Sequence, residues 1–282
     1  MAKPLIFLQK HQENIMQIKN KRILLTGATG GIGRLVALML ATNGANLALV
    51  GRDAPKLQEL VDEIHKNGGK AVNIVADFEQ TGAPQTVIIE ATKSLGGIDI
   101  LINNAAILDF VQLEDQSFER IAQMIQTNVT APIQLARAVL PSFKAANAGH
   151  FVMVGSIFGS LGFPHYATYC ASKFAIHGFS QSLRRELVDT NIGVTYIAPR
   201  AVKTAMNDAA TVAMMQSTGN TMDAPEKVAE IIINALKNEK QEVFIGQPQS
   251  FFAWLNGFLP AAVNMGLKNQ TKLAKKYVTR KF

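Results

Sequence analysis

The segment RILLTGATGGIGRLV, residues 22–36, decides the fold of this chain. A short nonpolar run leads into glycines, and Gly27, Gly31 and Gly33 stand in the spacing TGxxxGxG. A nonpolar run that ends at glycines favours a buried strand, and nonpolar residues at helical spacing after it favour an amphipathic helix. The segment therefore predicts a strand, a tight turn and a helix packed back on the strand.

The same alternation continues along most of the chain. Nonpolar runs predict strands at 22–27, 46–51, 71–76, 99–104, 150–156, 193–198 and 242–246. Helical patterns lie between them, at 32–43, 54–67, 80–95, 117–146, 167–190 and 225–237. Strands that alternate with helices indicate βαβ units, and nearly continuous nonpolar strands indicate a sheet covered on both faces. We predict an α/β fold with a doubly wound, Rossmann-like parallel sheet.

We place the boundaries of a single domain at 21 and 247. A short N-terminal extension, 1–20, precedes it, and an aromatic and basic C-terminal extension, 248–282, follows it. No repeat or low-complexity linker marks a second domain.

Composition excludes several classes of protein. With 282 residues, 48% hydrophobic and 17% charged, the chain suits one domain with a large core. The single cysteine, Cys170, excludes an intramolecular disulfide and a multi-cysteine metal site, and we predict no metal site. The nonpolar run at 5–8 is too short for a secretion signal, and no run is long enough to cross a membrane. We expect a cytoplasmic protein.

The net charge of +7 resides in one segment. Residues 243–282 contain six Lys and Arg and no Asp or Glu, whereas the preceding chain is nearly neutral. Because the basic residues are terminal and no recognition motif accompanies them, no nucleic-acid partner is predicted.

The glycine turn predicts a dinucleotide site. Glycines allow the backbone to approach a pyrophosphate closely, and free amides at a helix N-terminus bind its charge. A glycine-rich turn that is only a tight turn is the alternative, and the spacing is not GxGxxG. Placement between a buried strand and an amphipathic helix favours the nucleotide. The residues predicted to bind it here are Gly27, Thr29, Gly31, Ile32 and Gly33.

The end of the second predicted strand favours NADP(H) over NAD(H). An NAD site usually has an acidic side chain there, which accepts from the ribose 2′-hydroxyl. Here Gly51 leaves space, and the guanidinium of Arg52 suits a 2′-phosphate. Asp53 is read as the N-cap of the next helix. Arg34 either reinforces this preference or is a solvated arginine.

Three residues at the next strand ends are further cofactor candidates. Asp77 either accepts from the adenine amino group or caps the following helix. Asn104 and Ala105, in the run NNAA, are predicted to line the cofactor floor, whereas Asn103 is equally a residue that braces neighbouring strands.

Tyr169 and Lys173, in the run YATYCASKF, carry the predicted chemistry. Residues four apart share one face of a helix, so the ammonium can act on the phenol. A neighbouring positive charge stabilises the phenolate, which would lower a phenol pKa that is ordinarily near 10. Tyr196 also has a basic residue four positions on, Arg200, but it lies in a strand pattern in which such residues do not stack.

Together these motifs resemble the short-chain dehydrogenase/reductase family over roughly residues 20–246. The motifs are TGATGGIG, NNAA, Asn128 in QTNVT, Ser156 in VGSIFGS and the Tyr169–Lys173 run. The resemblance implies hydride transfer between a nicotinamide and a carbonyl or alcohol carbon. It implies that Tyr169 donates the proton and that Lys173 lowers the phenol pKa and holds the nicotinamide ribose.

The resemblance also assigns the remaining site residues. Ser156 would hydrogen-bond the substrate oxygen, and Asn128 would hold a water that links the lysine to solvent. Pro199 and Thr204 match the segment that bonds the nicotinamide carboxamide. Arg200 stands where the family commonly has glycine, and its partner is left open between a substrate anion, the cofactor phosphates and solvent.

We therefore expect an NADP(H)-dependent oxidoreductase. A 3-oxoacyl thioester reductase and a non-catalytic nucleotide-sensing protein are the alternatives. The segment 204–222 is rich in methionine, at Met206, Met214, Met215 and Met222, with few charges. It favours either a deformable pocket for a lipophilic substrate or an ordinary packed helix.

The C-terminal extension has three interpretations. Its aromatic residues, Phe251, Phe252, Trp254 and Phe258, precede the lysines, a pattern typical of a segment on an anionic membrane surface. They would otherwise dock on the body or on another subunit, and Pro260 predicts a break into two short helices. From the resemblance we expect a homodimer or homotetramer.

Overall fold

Seven parallel strands form the centre of the protein. The computed structural model describes residues 15–278. The strands are β1 (Arg22–Thr26), β2 (Asn46–Gly51), β3 (Lys70–Val75), β4 (Ile100–Asn103), β5 (Gly149–Val154), β6 (Ile192–Pro199) and β7 (Glu242–Ile245). They pair in the order β3-β2-β1-β4-β5-β6-β7. The predicted doubly wound sheet is confirmed.

Helices cover both faces of this sheet. They are α1 (Gly31–Thr42), α2 (Ala54–Lys66), α3 (Ala83–Leu95), α4 (Phe118–Ile125), α5 (Ala131–Ala146), α6 (Ala167–Glu186), α7 (Ala209–Ser217), α8 (Pro225–Lys237), α9 (Gln249–Asn256) and α10 (Pro260–Ala274). The last two lie on either side of the break that the sequence predicts at Pro260.

The predicted helix 117–146 is the main difference from the sequence analysis. A wide π-helical turn, Gln126–Thr130, separates α4 from α5. Pro132 has no N–H, so it cannot supply the bond that the Asn128 carbonyl would accept in an α-helix. The helix widens at this point, as is common near functional sites.

Alternation along the strands divides the core into two layers. Ile23 and Leu25 of β1 face α1, α2 and α8, whereas Leu24 faces α3, α5 and α6. All three side chains are fully buried. Because both faces are covered, the central strands are mostly nonpolar, as the sequence indicates.

The order of the strands positions the site. β1 lies between β2 and β4, so the chain winds outward in opposite directions from these neighbours. Such a switch point opens a crevice at the carboxyl ends of the strands. Within residues 15–278, no helix combines the length and the nonpolar character needed to cross a membrane.

Candidate active site

The glycine-rich turn after β1 forms a cradle at one end of the crevice. Gly27 has a positive φ of 65°, which favours glycine. A Cβ on Gly33 would collide with the Gly27 carbonyl oxygen, so the first turn of α1 packs directly on the loop. Thr29, Gly31 and Ile32 line the same cavity. The residues present therefore fit a dinucleotide pyrophosphate at the N-terminus of α1.

Asn104 braces this cradle. Its side-chain amide donates to the carbonyl oxygens of Thr26 and Gly27, at 3.1 Å each. The Thr26 hydroxyl in turn accepts from the backbone amides of Asn104 and Ala105, at 3.0 and 3.1 Å. Asn104 and Ala105 both line the cavity, and the bonds of Asn104 tie the end of β4 to the glycine turn.

Arg52 and Asp77 lie at the far rim of the cradle. The side chain of Arg52 is 60% exposed, and its guanidinium lies 3.5 Å from the carboxylate of Glu79. Asp77 lines the cavity while its carboxylate accepts from the amide of Glu79 at 3.1 Å. Because α3 begins only at Ala83, Asp77 caps a turn and not the helix itself.

Arg34 and Asn103 have structural partners instead. Arg34 pairs with Glu63 of α2, so its charge is directed to a neighbouring helix. Asn103 is buried, and its amide donates to the Pro132 carbonyl and the Met153 sulfur. Of the two interpretations of Asn103, the structure therefore supports the bracing one.

Tyr169 and Lys173 meet on one face of α6 beside the end of β5. The Lys173 ammonium lies 5.6 Å from the centre of the Tyr169 ring and donates to the carbonyl oxygen of Val154 at 3.1 Å. The two residues are only 9% and 3% exposed. The helix thus brings them together as its spacing predicts.

Their titration differs from the expectation. Burial raises the pKa of Tyr169 above its ordinary value, and a hydrogen bond with the Ser156 side chain only partly opposes this. Burial also lowers the pKa of Lys173 to about 8. The lysine is desolvated together with the phenol, so in this structure its charge does not outweigh the burial of Tyr169.

Ser156 is held from behind by Tyr196, whose contribution the sequence analysis did not find. Ser156 follows β5 and is 7% exposed, and its hydroxyl accepts from the Phe158 amide at 3.1 Å. The fully buried Tyr196 hydroxyl donates to the Ser156 carbonyl oxygen at 3.2 Å. The ring of His177 stacks on Tyr196 at 4.3 Å. Tyr196 therefore positions Ser156 through its backbone.

Asn128 lies beneath the site in the π-helical turn and does not line the cavity. Its side-chain oxygen accepts from the Ile107 amide, and its nitrogen donates to the Ile107 carbonyl oxygen, at 2.8 Å each. The same nitrogen donates to Ser172 at 3.1 Å. The side chain is therefore committed to protein groups, and any water that Asn128 holds must be bound elsewhere on the residue.

The end of β6 and the segment that follows it form a further wall of the crevice. Pro199 and Thr204 line the cavity, and the Thr204 side chain lies against Gly31. Arg200, whose partner the sequence left open, forms a two-point ion pair with Asp223, at 2.9 and 2.8 Å. Asp223 closes the methionine-rich segment, so Arg200 joins β6 to that segment.

The opposite half of the cavity is largely nonpolar, with a few polar side chains in its lining. The whole cavity has a volume of about 570 Å³. Phe158 and Phe163 stack at 5.4 Å, and Phe158 meets the Tyr169 ring edge-on at 6.4 Å. Met206 and Met215 of the methionine-rich segment line this half, whereas Met214 is buried in the surrounding core.

The C-terminal extension supplies the outer wall, which the sequence analysis did not assign to the site. Its lining residues are Pro248, Gln249, Phe252, Leu255, Ala262, Val263, Gly266, Leu267 and Gln270. Of the three interpretations of this extension, docking on the body therefore holds for its inner face. The aromatic residues alone did not show which face docks.

Known proteins resemble this chain in sequence and in fold. A family model described as short chain dehydrogenase matches residues 21–214. Dehydrogenase/reductase SDR family member 7B of Bos taurus is 31% identical over 248 residues, 84% of this chain and 76% of the relative. Ketoacyl reductase HetN of Nostoc sp. is 31% identical over 231 residues, 82% of this chain and 80% of the relative.

A solved structure is also similar to this chain. It is a short chain dehydrogenase from Burkholderia cenocepacia in complex with NADP, and it superposes with a TM-score of 0.72 at 27% identity. The match covers 81% of this chain and 97% of the neighbour.

The two buried asparagines provide a test of this geometry. Asn128→Ala leaves the amide and carbonyl of Ile107 buried without their partners, so we expect a loss of roughly 2–4 kcal/mol in the free energy of unfolding. Asn103→Ala is the matched control, with an expected loss of about 1 kcal/mol, because its bonds are long or made to sulfur. Urea unfolding measures both, and equal losses would contradict the geometry.

Proposed function

The chain belongs to the short-chain dehydrogenase/reductase family, and on that premise we propose that it is an NADP(H)-dependent oxidoreductase acting on a lipophilic carbonyl or alcohol substrate. One observation carries the proposal. A single cavity joins the glycine cradle to Tyr169, Ser156 and a nonpolar wall. A dinucleotide and a nonpolar substrate can therefore meet beside a phenol and a serine hydroxyl.

Proton transfer is assigned to Tyr169. When bound, the nicotinamide supplies or accepts the hydride. The phenol of Tyr169 is protonated at neutral pH, so it can donate its proton to a carbonyl oxygen that is being reduced. Burial raises its pKa and makes it a weaker acid, which a bound cofactor and the neighbouring ammonium of Lys173 would have to offset. The Ser156 hydroxyl would donate a hydrogen bond to the same oxygen.

Lys173 and Asn128 would support this step. A lysine with a pKa of about 8 can exchange its proton near neutral pH, so Lys173 suits the resupply of protons and the binding of the ribose hydroxyls. We assign the water-holding role of Asn128 to its main-chain carbonyl, because Pro132 withholds the N–H that would bond it in an α-helix.

Two alternative functions can be tested against this proposal. The ketoacyl reductase among the relatives favours a 3-oxoacyl thioester as a second candidate substrate. Comparing a medium-chain ketone with the matching 3-oxoacyl thioester under NADPH separates the two. A non-catalytic sensor is less well supported, because nucleotide sensing does not require Ser156 or Tyr169. Cofactor binding without turnover of any carbonyl would favour it.

The membrane proposal concerns the outer face of the C-terminal extension. Phe251 and Trp254 lie 5.8 Å apart, Trp254 and Phe258 lie 5.1 Å apart, and all three are at least half exposed. The extension has lysines and no acidic residue. We assign the protein to the cytoplasm, with this face against the inner, anionic surface of a membrane.

A homodimer or homotetramer is also proposed. Phe174 and Val188, on or just after the long helix α6, are 43% and 75% exposed, which suits an interface between copies. Sedimentation velocity gives the state directly, and a monomer at micromolar concentration would remove the proposal.

The catalytic assignment is tested by Tyr169→Phe. Deleting the hydroxyl removes the proton donor, so we expect kcat to fall at least about 100-fold. The dissociation constant for NADPH, measured by fluorescence, is expected to change less than about threefold, because the ring remains. Tyr277→Phe, in the C-terminal extension, is the control. Undiminished turnover in Tyr169→Phe would contradict the assignment of Tyr169 as the proton donor.

The cofactor assignment is tested by Arg52→Gln. Losing a charged bond to a 2′-phosphate costs roughly 1.5–3 kcal/mol, so KM for NADPH should rise about 10- to 100-fold. KM for NADH, which lacks that phosphate, should change little. The matched control is Arg34→Gln, whose side chain pairs with Glu63. Equal effects on the two cofactors would point away from NADP(H).

The membrane proposal is tested by flotation with vesicles of phosphatidylcholine and phosphatidylserine. We expect the wild type to float with the mixed vesicles and not with phosphatidylcholine alone. A triple variant, with serine at Phe251, Trp254 and Phe258, should remain at the bottom because it loses the nonpolar contact. Phe118→Ser is the control, since Phe118 is 87% exposed on α4. Equal flotation of the wild type and the triple variant would refute the proposal.

A further inference from the structure

The helices α9 and α10, which we call the C-terminal cap (249–274), are packed onto the substrate side of the site. Ala253 and Val263 are 4% and 3% exposed and pack with Ile157 and Leu161, within five residues after Ser156. Asn256 donates to the Ser160 carbonyl oxygen at 3.0 Å. One end of the cap therefore rests on the turn that carries the serine.

The cap also rests on the methionine-rich segment. Ala274, the last residue of α10, is fully buried in the cluster that contains Met214 and Met215 of α7. Phe252, Leu255, Val263 and Leu267 of the cap face the cavity. The cap therefore bridges the serine turn and the methionine-rich segment and forms the wall between them.

The guanidinium of Arg200 connects the cap to the methionine-rich segment. Besides its two bonds to Asp223, Arg200 donates through one nitrogen to the Gln247 carbonyl oxygen at 2.9 Å and the Gln249 side-chain oxygen at 3.1 Å. Gln249 then donates to the side chain of Asn220 at 2.9 Å. The network links the end of β6, the end of the methionine-rich segment and the start of the cap.

The same bonds decide between the partners that the sequence left open for Arg200. An arginine has five N–H donors, and within residues 15–278 four hydrogen bonds to protein acceptors already engage its three nitrogens. Asp223, 7% exposed, neutralises its charge at close range. The guanidinium is therefore unsuited to receive a substrate anion or a cofactor phosphate, and its role is to hold protein segments together.

We propose that Arg200 determines substrate specificity by position: it fastens the C-terminal cap to the methionine-rich segment and so maintains the nonpolar outer half of the cavity. The pocket then favours carbonyl substrates with a long nonpolar group over short ones. The preference for a long nonpolar substrate rests on the proposed function. The attachment of the cap by Arg200 rests on the hydrogen-bond network alone.

The specificity is measured with straight-chain aldehydes from butanal to decanal and NADPH. In the wild type, kcat/KM should rise with chain length, by up to about fourfold for each methylene buried in the cap wall. In Arg200→Lys and Asp223→Asn, which lose the two-point pair, the ratio of kcat/KM for decanal to that for butanal should fall about tenfold.

The control is Arg22→Lys. Arg22 forms a two-point pair of the same kind with Asp99, at 3.0 and 2.5 Å, at the amino ends of β1 and β4. It lies at the opposite edge of the sheet from the site, so its variant should keep the wild-type ratio. Gln249→Ala, which removes only the outer links, is a milder variant for use if the others do not fold.

A second measurement does not depend on activity. Hydrogen exchange of the amides in 249–274 should be about tenfold faster in Arg200→Lys than in the wild type, and unchanged in Arg22→Lys. If the wild type reduces no carbonyl, the proposed function fails while exchange still decides whether Arg200 fastens the cap. Unchanged exchange, or faster exchange with an unchanged chain-length ratio, would overturn the inference.

Discussion

The arrangement of the site depends on the buried side-chain amine of Lys173. Lys173 is 3% exposed, and its ammonium donates to the carbonyl oxygen of Val154 at the end of β5. Removing a charge from water is costly, which is why the pKa of Lys173 falls to about 8. The bond to Val154, together with the packing of Ile176 and Leu183 on the sheet, holds α6 in place and puts Tyr169 beside Ser156. Nucleotide cradle, phenol and serine share one crevice because this helix is held at this strand.

The same burial determines how the chemistry would run. Burial keeps the Tyr169 phenol protonated at neutral pH but weakens it as an acid, whereas the amine of Lys173, with its lowered pKa, can return a proton to the phenolate. The enclosure depends on the C-terminal extension, which covers the outer side of the cavity with Leu255, Val263 and Leu267. The extension is therefore part of the site and not an appendage to a complete domain. Arg200 connects it to the segment that closes the opposite side.

Local patterns were sufficient for the sheet and for the first half of the site. The short nonpolar runs located each strand to within a residue or two, because a strand covered on both faces is nonpolar on both faces. Gly27, Gly31 and Gly33 indicated the cradle, since only glycine permits such close approach of backbone. Tyr169 and Lys173 could be paired from their spacing because helix geometry places residues four apart on one face. The π-helical turn at Asn128 was not predicted, although Pro132 is its local signal.

The sequence by itself determined the order of the elements, the glycine cradle and the pairing of Tyr169 with Lys173, because each depends on residues within a few positions of one another. Tertiary structure alone decided the partners of Arg200, the bracing of Ser156 by Tyr196 and the wall that the C-terminal helices form. These contacts join residues about 20 to 100 positions apart. Whether the pKa of Tyr169 is raised or lowered also depends on tertiary structure, because packing decides how far the phenol is buried. The spacing of residues along the chain does not show which distant segments will pack together and exclude water from the site.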